Sequence, residues 1–199
     1  MKIVVIGGTG ILGSKVVDRL RDHGDEAVAA SPRTGVNTLT GEGLAEALTG
    51  ADVVVDVSNS PSFDDDPAME FFTKSTTNLE AAANAAGVKH YVAVSIVGSD
   101  QLPESGYLRA KVAQEKLIEE SGIPYSIVRA TQFAEFADAI TASMTVGEEV
   151  RVPDALIQPI AAEDLAAEVA RVAEGEPLCG IENIGGPQKI RLNRWPARF

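Results

Sequence analysis

Two groups of residues in this sequence have types and spacing suited to chemistry. The first is Gly7-Gly8-Thr9-Gly10-Ile11-Leu12-Gly13, directly after the apolar run Lys2–Ile6. Glycines at 7, 10 and 13 let a chain turn sharply, bring its backbone up to a pyrophosphate, and pack a following helix close on a sheet. The N-terminus of that helix adds free N–H groups and positive potential for the phosphates. The second group is Tyr107 and Lys111, four apart in a helical stretch and so neighbours on one face. A nearby ammonium favours phenolate and lowers a tyrosine pKa. The phenol would then serve as acid or base at a carbonyl or alcohol, and Lys111 could also bond the ribose beside a nicotinamide. Ser95, at the carboxyl side of the preceding strand, could hydrogen-bond the same substrate oxygen; Ser99 competes for that role.

The second strand bears on which dinucleotide fits. A site for NAD commonly has an acidic residue about 20 residues beyond the glycine loop, on the ribose 2′-OH. Here the strand ends in Ala29-Ala30-Ser31-Pro32-Arg33-Thr34, with no carboxylate, and Glu26 lies at its wrong end. Ser31, Arg33 and Thr34 could hold a 2′-phosphate, with Arg33 as charge partner. The sequence therefore points to NADP(H) rather than NAD.

These residues need elements to position them. Apolar runs alternate with helical patterns: strands at 2–6, 27–30, 53–57, 91–97, 125–129 and 181–184, and helices at 10–23, 43–48, 66–86, 106–121, 133–144 and 162–174. In the helix at 66–86, Asp66 is the expected N-cap, Pro67 suits the first turn, and Gly87 ends it. Met69, Phe72, Thr76, Leu79, Ala83 and Ala86 step by three and four along one stripe. Strand–helix alternation means βαβ units and a largely parallel sheet, and continuous apolar strands mean a sheet covered on both faces. The expected fold is thus α/β, a Rossmann-like doubly wound sheet. One domain over 1–199 is expected, with a nucleotide-binding core at 1–130 and a substrate-side lobe at 131–199.

Composition narrows the function classes. Apolar residues are 45% and charged residues 23%, enough for one sizeable core. A net charge of −12 without a dense Lys/Arg cluster argues against nucleic acid as partner. No apolar stretch has the length of a membrane span. The N-terminus lacks a secretory pattern and reads as mature protein. Cys179 is the single cysteine, and the two histidines, His23 and His90, do not make a zinc site; no metal is expected, and the cytoplasm is favoured. Asp64-Asp65-Asp66 reads as a helix cap, His90 as structural, and Cys179 as packing. Trp195 and Phe199 would cover a core edge or a partner, which leaves a homodimer open.

With these motifs in place, the chain resembles an atypical short-chain dehydrogenase/reductase of the NmrA-like NAD(P)-binding group. The resemblance runs through VVIGGTGILG, AASPRTGVN, VVVDVSNSPSF, VAVSIVGSD, YLRAKVAQEKLIEESGIPYSIVRATQF and IQPIAAEDLAA, nearly the whole chain. It implies NADP(H) on Gly7–Gly13, with Thr9, Ile11 and Leu12 adding contacts, and Arg33 at the 2′-phosphate. It also places Ser58 and Asn59 along the nucleotide path, and Asn78 as a bridge between backbone and active-site water. Ser95, Tyr107 and Lys111 match the catalytic positions of the wider superfamily. Many NmrA-like proteins lack the tyrosine and act as redox-sensing regulators, whereas this chain keeps Tyr107. Relatives continue through further helices after the turn seen here as Gly185-Gly186-Pro187, so a shortened substrate lobe is expected. Loop residues 61–63, 97–98 and 131–133 are mostly apolar, which suits a small carbonyl compound, enone or quinone. The two readings carried forward are an NADPH-dependent oxidoreductase and a non-catalytic NADP(H) sensor.

Overall fold

A computed structural model describes residues 1–147 and 149–195; Phe199, expected to cover an edge, lies outside them. The elements in chain order are β1 (Lys2–Ile6), α1 (Ile11–Asp22), β2 (Glu26–Ala30), α2 (Leu44–Leu48), β3 (Val53–Asp56), α3 (Asp65–Ala86), β4 (His90–Ile96), α4 (Gly106–Glu120), β5 (Tyr125–Ala130), α5 (Ala137–Ser143), β6 (Thr145–Val146), β7 (Glu149–Val150), β8 (Leu156–Ile157), α6 (Ala162–Glu174), β9 (Gly180–Ile184) and β10 (Ile190–Arg191). The main sheet has the order β2-β1-β3-β4-β5-β9, and every pairing in it is parallel. Two small antiparallel pairs, β8 with β10 and β6 with β7, stand beside it.

Both faces of the sheet are covered, as its continuous apolar strands require. Side chains alternate along a strand, so Ile3, Val5, Val53 and Val55 meet α1 and α6 through Leu12, Val16, Leu20, Leu165 and Val169. Val4, Ile6 and Val54 face the other way, onto Leu44, Leu48, Leu79, Ala83 and Ile118 of α2, α3 and α4. Because β9 pairs with β5 and α6 fills the core beside α1, part of the segment expected to form a substrate-side lobe belongs to the core layers.

Three local readings need correction. α3 starts one residue earlier than expected, with Asp64 rather than Asp66 in the cap position, and its side chain bonds Ser62 Oγ instead of the helix N–H groups. Gly87 does end α3, in the left-handed conformation. The single helix expected over 133–144 is a 3-10 turn, Ala134–Phe136, followed by α5. Cys179 is exposed and takes a positive φ of 47°, so it does not pack in the core.

Candidate functional site: a nucleotide cradle and a buried polar ring

The order of strands reverses between β1 and β3, since the chain leaves β1 for β2 on one side and returns for β3 on the other. Ligands of such sheets bind in the crevice at that point, beyond the carboxyl ends of the strands. The glycine turn after β1 lies there, packed on the turn after β3. Gly7 has φ +79°, and a Cβ on it would lie 2.9 Å from the Val57 carbonyl oxygen. A Cβ on Gly8 would stand 2.7 Å from the Val5 carbonyl oxygen and 2.8 Å from Ala29 Cα, and one on Gly13 would collide with the backbone of Gly7. Gly8 escapes a three-residue glycine spacing, although its neighbours leave it no room for a side chain.

The cradle fits a dinucleotide. The first N–H groups of α1 have no acceptor inside the helix, Gly10 in the cap position offers no side chain, and the first turn carries no acidic residue. Gly10 differs from its neighbours: a Cβ there would meet only the Gly7 carbonyl, at 3.2 Å. Thr9 donates its hydroxyl to Ser31 Oγ (3.0 Å), tying the glycine turn to the end of β2. Ser31 also begins a 3-10 turn, Pro32–Thr34, in which its backbone N–H bonds Thr34 Oγ1 (2.9 Å). Arg33 stands on that turn, exposed, and forms no ion pair among the described residues. Ile11 is also half open to solvent, and Leu12 is buried.

Tyr107 is half-buried at the start of α4. Its hydroxyl donates to Asn59 Oδ1 (2.6 Å), and its ring packs on Phe63 at 5.0 Å and edge-on to Phe72 at 5.7 Å. Phe63 is itself 69% exposed. Lys111 lies one turn on and is 4% exposed. Its ammonium donates to the Val94 carbonyl (2.9 Å) and to Gln114 Oε1, over the Phe72 ring at 4.5 Å. No hydrogen bond joins Tyr107 to Lys111 among the described residues. The expectation that Lys111 lowers the Tyr107 pKa is therefore corrected: burial pushes the phenol up to about 12, with Asn59 opposing. A buried ammonium takes the nearest acceptors, and here those are the Val94 carbonyl and an amide.

Ser95 is buried on β4 and Ser99 in the 3-10 turn Ser99–Gln101 that follows it, and neither Oγ has a partner among the described residues. Neither bonds Tyr107. Asn78 is not gathered with the others, because its amide donates to the carbonyls of Thr38 (2.8 Å) and Leu39 (3.1 Å), where it anchors a loop rather than bridging to the site. Ser58 is present at the crevice, held by Asp56 through its backbone N–H (2.9 Å) and its hydroxyl (2.6 Å). Asp56 and Gln114 were missed by sequence reasoning. Each stands in an apolar context whose periodicity says only that the position is buried.

The family model described as NAD(P)H-binding matches residues 7–176. The chain belongs to the NAD(P)H-binding family. The kinship with atypical short-chain dehydrogenases/reductases implied by its motifs is consistent with this match, and solved structures of NAD(P)-dependent enzymes share its fold. The NADPH-dependent quinone oxidoreductase of Escherichia coli, complexed with NADPH, has 23% identity and a TM-score of 0.75, covering 96% of this NAD(P)H-binding chain and 71% of the other. The triphenylmethane reductase of Citrobacter sp., complexed with NADP(H), has 20% identity and a TM-score of 0.72, covering 96% and 72%. Among curated relatives, the photosystem II assembly factor Ycf39 of Cyanophora paradoxa is 30% identical over 147 residues, 67% of this chain and 46% of that protein. This chain thus spans about half the length of that relative. No helix among the described residues is long and apolar enough to cross a membrane.

Proposed function

We propose that this NAD(P)H-binding chain is an NADPH-dependent oxidoreductase acting on a small apolar carbonyl compound, enone or quinone. The observation that carries the reading is the hydrogen bond from Tyr107 to Asn59, in the turn after β3 on which the glycine turn packs, at the carboxyl end of the sheet. The chemistry supplied by the bound cofactor is hydride donation. The chain's own part is binding and proton delivery. Backbone N–H groups of the glycine turn and α1 receive the pyrophosphate, with Thr9, Ile11 and Leu12 flanking it. Ser31 and Arg33 meet the 2′-phosphate. Ser58 and Asn59 border the nucleotide path. Tyr107, with its pKa pushed up to about 12, stays protonated at neutral pH. It gives its proton to the substrate oxygen and, once reprotonated from solvent, donates again to Asn59 Oδ1. The exposed Phe63 ring covers Tyr107 against water. Ser95 orients the same oxygen, and Lys111 supplies positive charge behind the phenol.

The test is a fluorescence titration with NADPH and NADH, on wild type and Arg33→Ala, followed by a quinone and aldehyde panel. NADPH should bind more tightly than NADH and lose that preference in Arg33→Ala. Tyr107→Phe should keep NADPH binding and lose turnover. Absence of NADPH binding, or of any turnover across the panel, overturns the reading.

One observation favours a second reading, a module that senses NADP(H) and passes its state to a partner protein. Lys111 is bonded away from Tyr107, as a protein without turnover could allow. Similarity to a protein named as a photosystem II assembly factor suits such a role. In that case Tyr107→Phe changes neither nucleotide binding nor partner capture.

A further inference from the structure

Lys111 is an ammonium in the interior that no carboxylate touches among the described residues. Burying such a group without a counter-charge is costly. The counter-charge lies one side chain away. Gln114 is 2% exposed and uses both ends of its amide: Oε1 accepts from Lys111, and Nε2 donates to Asp56 Oδ2 (3.1 Å). The opposite orientation would set an NH2 against the ammonium and a carbonyl against the carboxylate, so the amide is fixed between the two charges.

Asp56, also 2% exposed, does more than face Lys111. It accepts from Tyr91 (3.2 Å) and from the backbone and hydroxyl of Ser58. Ser58 leads to Asn59, which accepts from Tyr107. The Tyr107 ring meets Phe72, and Phe72 lies against the Lys111 ammonium. The contacts close into a ring: Asp56, Ser58–Asn59, Tyr107, Phe72, Lys111, Gln114 and back to Asp56.

We propose that Gln114 is a positioning residue, through which the Asp56 carboxylate holds Lys111 against Phe72 while the same carboxylate fixes the Ser58–Asn59 loop that carries the Tyr107 hydrogen bond. The inference rests on the proposed function in taking that loop as part of the nucleotide path. Nucleotide arriving at the loop is then felt at Lys111 through Asp56 and Gln114. The charged and titratable groups around Lys111 are Asp56 from β3, Tyr91 from β4 through its bond to Asp56, and Glu115 on α4 itself, which is paired with Arg129. Burial lowers the Lys111 ammonium to about 8, with Asp56 and Glu115 opposing.

The experiment follows the Lys111 Cε signal against pH by NMR, in protein carrying 13C-lysine, with and without NADPH. Gln114→Met removes both hydrogen bonds, and the midpoint should fall by about one unit. Gln114→Glu has nearly the same shape, shares one proton with Asp56 across the 3.1 Å contact and sets the remaining negative charge against the ammonium, and the midpoint should rise by about one unit. The second variant keeps the test decisive where the first does not fold. Adding NADPH should move the Lys111 signal in wild type and leave it in place in Gln114→Met, while NADPH fluorescence still reports binding to both. An unchanged midpoint in a folded variant overturns the proposal. So does an NADPH-induced shift that survives in Gln114→Met. Absence of NADPH binding to wild type overturns the oxidoreductase reading instead, and the two midpoints still decide on Gln114.

Discussion

A methyl group at Gly13 would run into the backbone of Gly7, whose carbonyl already accepts the Gly10 N–H at 2.9 Å. Nothing there is the far end of a flexible side chain, so the turn itself must move. Gly13→Ala should therefore destabilise the fold, by about 1–3 kcal/mol as overpacking does, and weaken NADPH binding as well. Gly10→Ala meets only one oxygen, at 3.2 Å. Space that the fold does not need is space for a ligand. This variant should melt within a few degrees of wild type and still lose NADPH binding, read by thermal denaturation and fluorescence on the same samples. A Gly10→Ala protein that binds NADPH normally would show that the open side of Gly10 does not face the nucleotide. The glycine turn was legible in the sequence because its constraints are local: a strand, a sharp turn and a helix in one stretch of chain. The ring around Asp56 was not. Its members are brought together by β3, α3, β4 and α4 packing, and nothing in a run such as Val53–Asp56 distinguishes a carboxylate that closes a strand from one that holds a buried network.

Between elements, α4 is fastened to the sheet by a buried charge pair. Arg129 on β5 donates to both carboxylate oxygens of Glu115, at 2.9 and 2.6 Å, and reaches Asp100 at 3.0 Å. The Glu115 side chain is 5% exposed and that of Arg129 11%. Glu115→Leu leaves Arg129 with only the exposed Asp100 carboxylate, so the cost approaches, without reaching, the ~3–5 kcal/mol of an uncompensated buried charge, whereas replacing both partners with apolar groups of similar volume is often nearly neutral. Glu115→Leu should lower the urea midpoint sharply, and adding Arg129→Met should restore most of it. A double variant no better than the single one would mean that the pair holds α4 by its geometry and not by charge balance. The pairing of Arg129 with Glu115 is not legible in the sequence, because fourteen residues and a helix-to-strand turn separate the two. The main strands were readable from their continuous β-branched runs. The two-residue strands β6, β7, β8 and β10 were not, since a period cannot be counted over two residues. The break between the Ala134–Phe136 turn and α5 was hidden for a related reason: apolar spacing there continues across it.

For the molecule as a whole, two titratable groups, the buried His90 and the half-buried Glu80, act on stability in opposite directions over one pH range. His90 is 3% exposed; its Nε2 meets Ser126 Oγ at 2.8 Å, its Nδ1 has no partner among the described residues, and burial lowers its pKa to about 4. The unfolded chain binds that proton near pH 6.5 and the folded one near 4. Stability from His90 is thus full above 6.5 and is lost as pH falls toward 4. Glu80 behaves in the reverse sense. One of its oxygens is buried without a partner, and burial together with Glu120 raises its pKa to about 7. Its contribution is full below 4.5 and is lost as pH rises through 7. Between about pH 4.5 and 6.5 the folded state keeps a proton on Glu80 that the unfolded state has released, and lacks one on His90 that the unfolded state has taken up. The two proton counts oppose each other, so wild-type stability rises only gently with pH across that range, the half-buried Glu80 offsetting part of the His90 effect. Each change alone should uncover the other. In Glu80→Gln the His90 effect is unopposed, and stability should climb with pH from 4.5 to 6.5 at up to about 1.4 kcal/mol per unit. In His90→Phe the Glu80 effect is unopposed, and stability should fall over the same range with a shallower slope, because Glu80 is only half-buried. Urea denaturation at four pH values on the three proteins decides it. Parallel pH profiles for wild type and both variants would mean that neither group changes its protonation on folding, and that the sites beneath β4 and along α3 are more open to water than their packing implies.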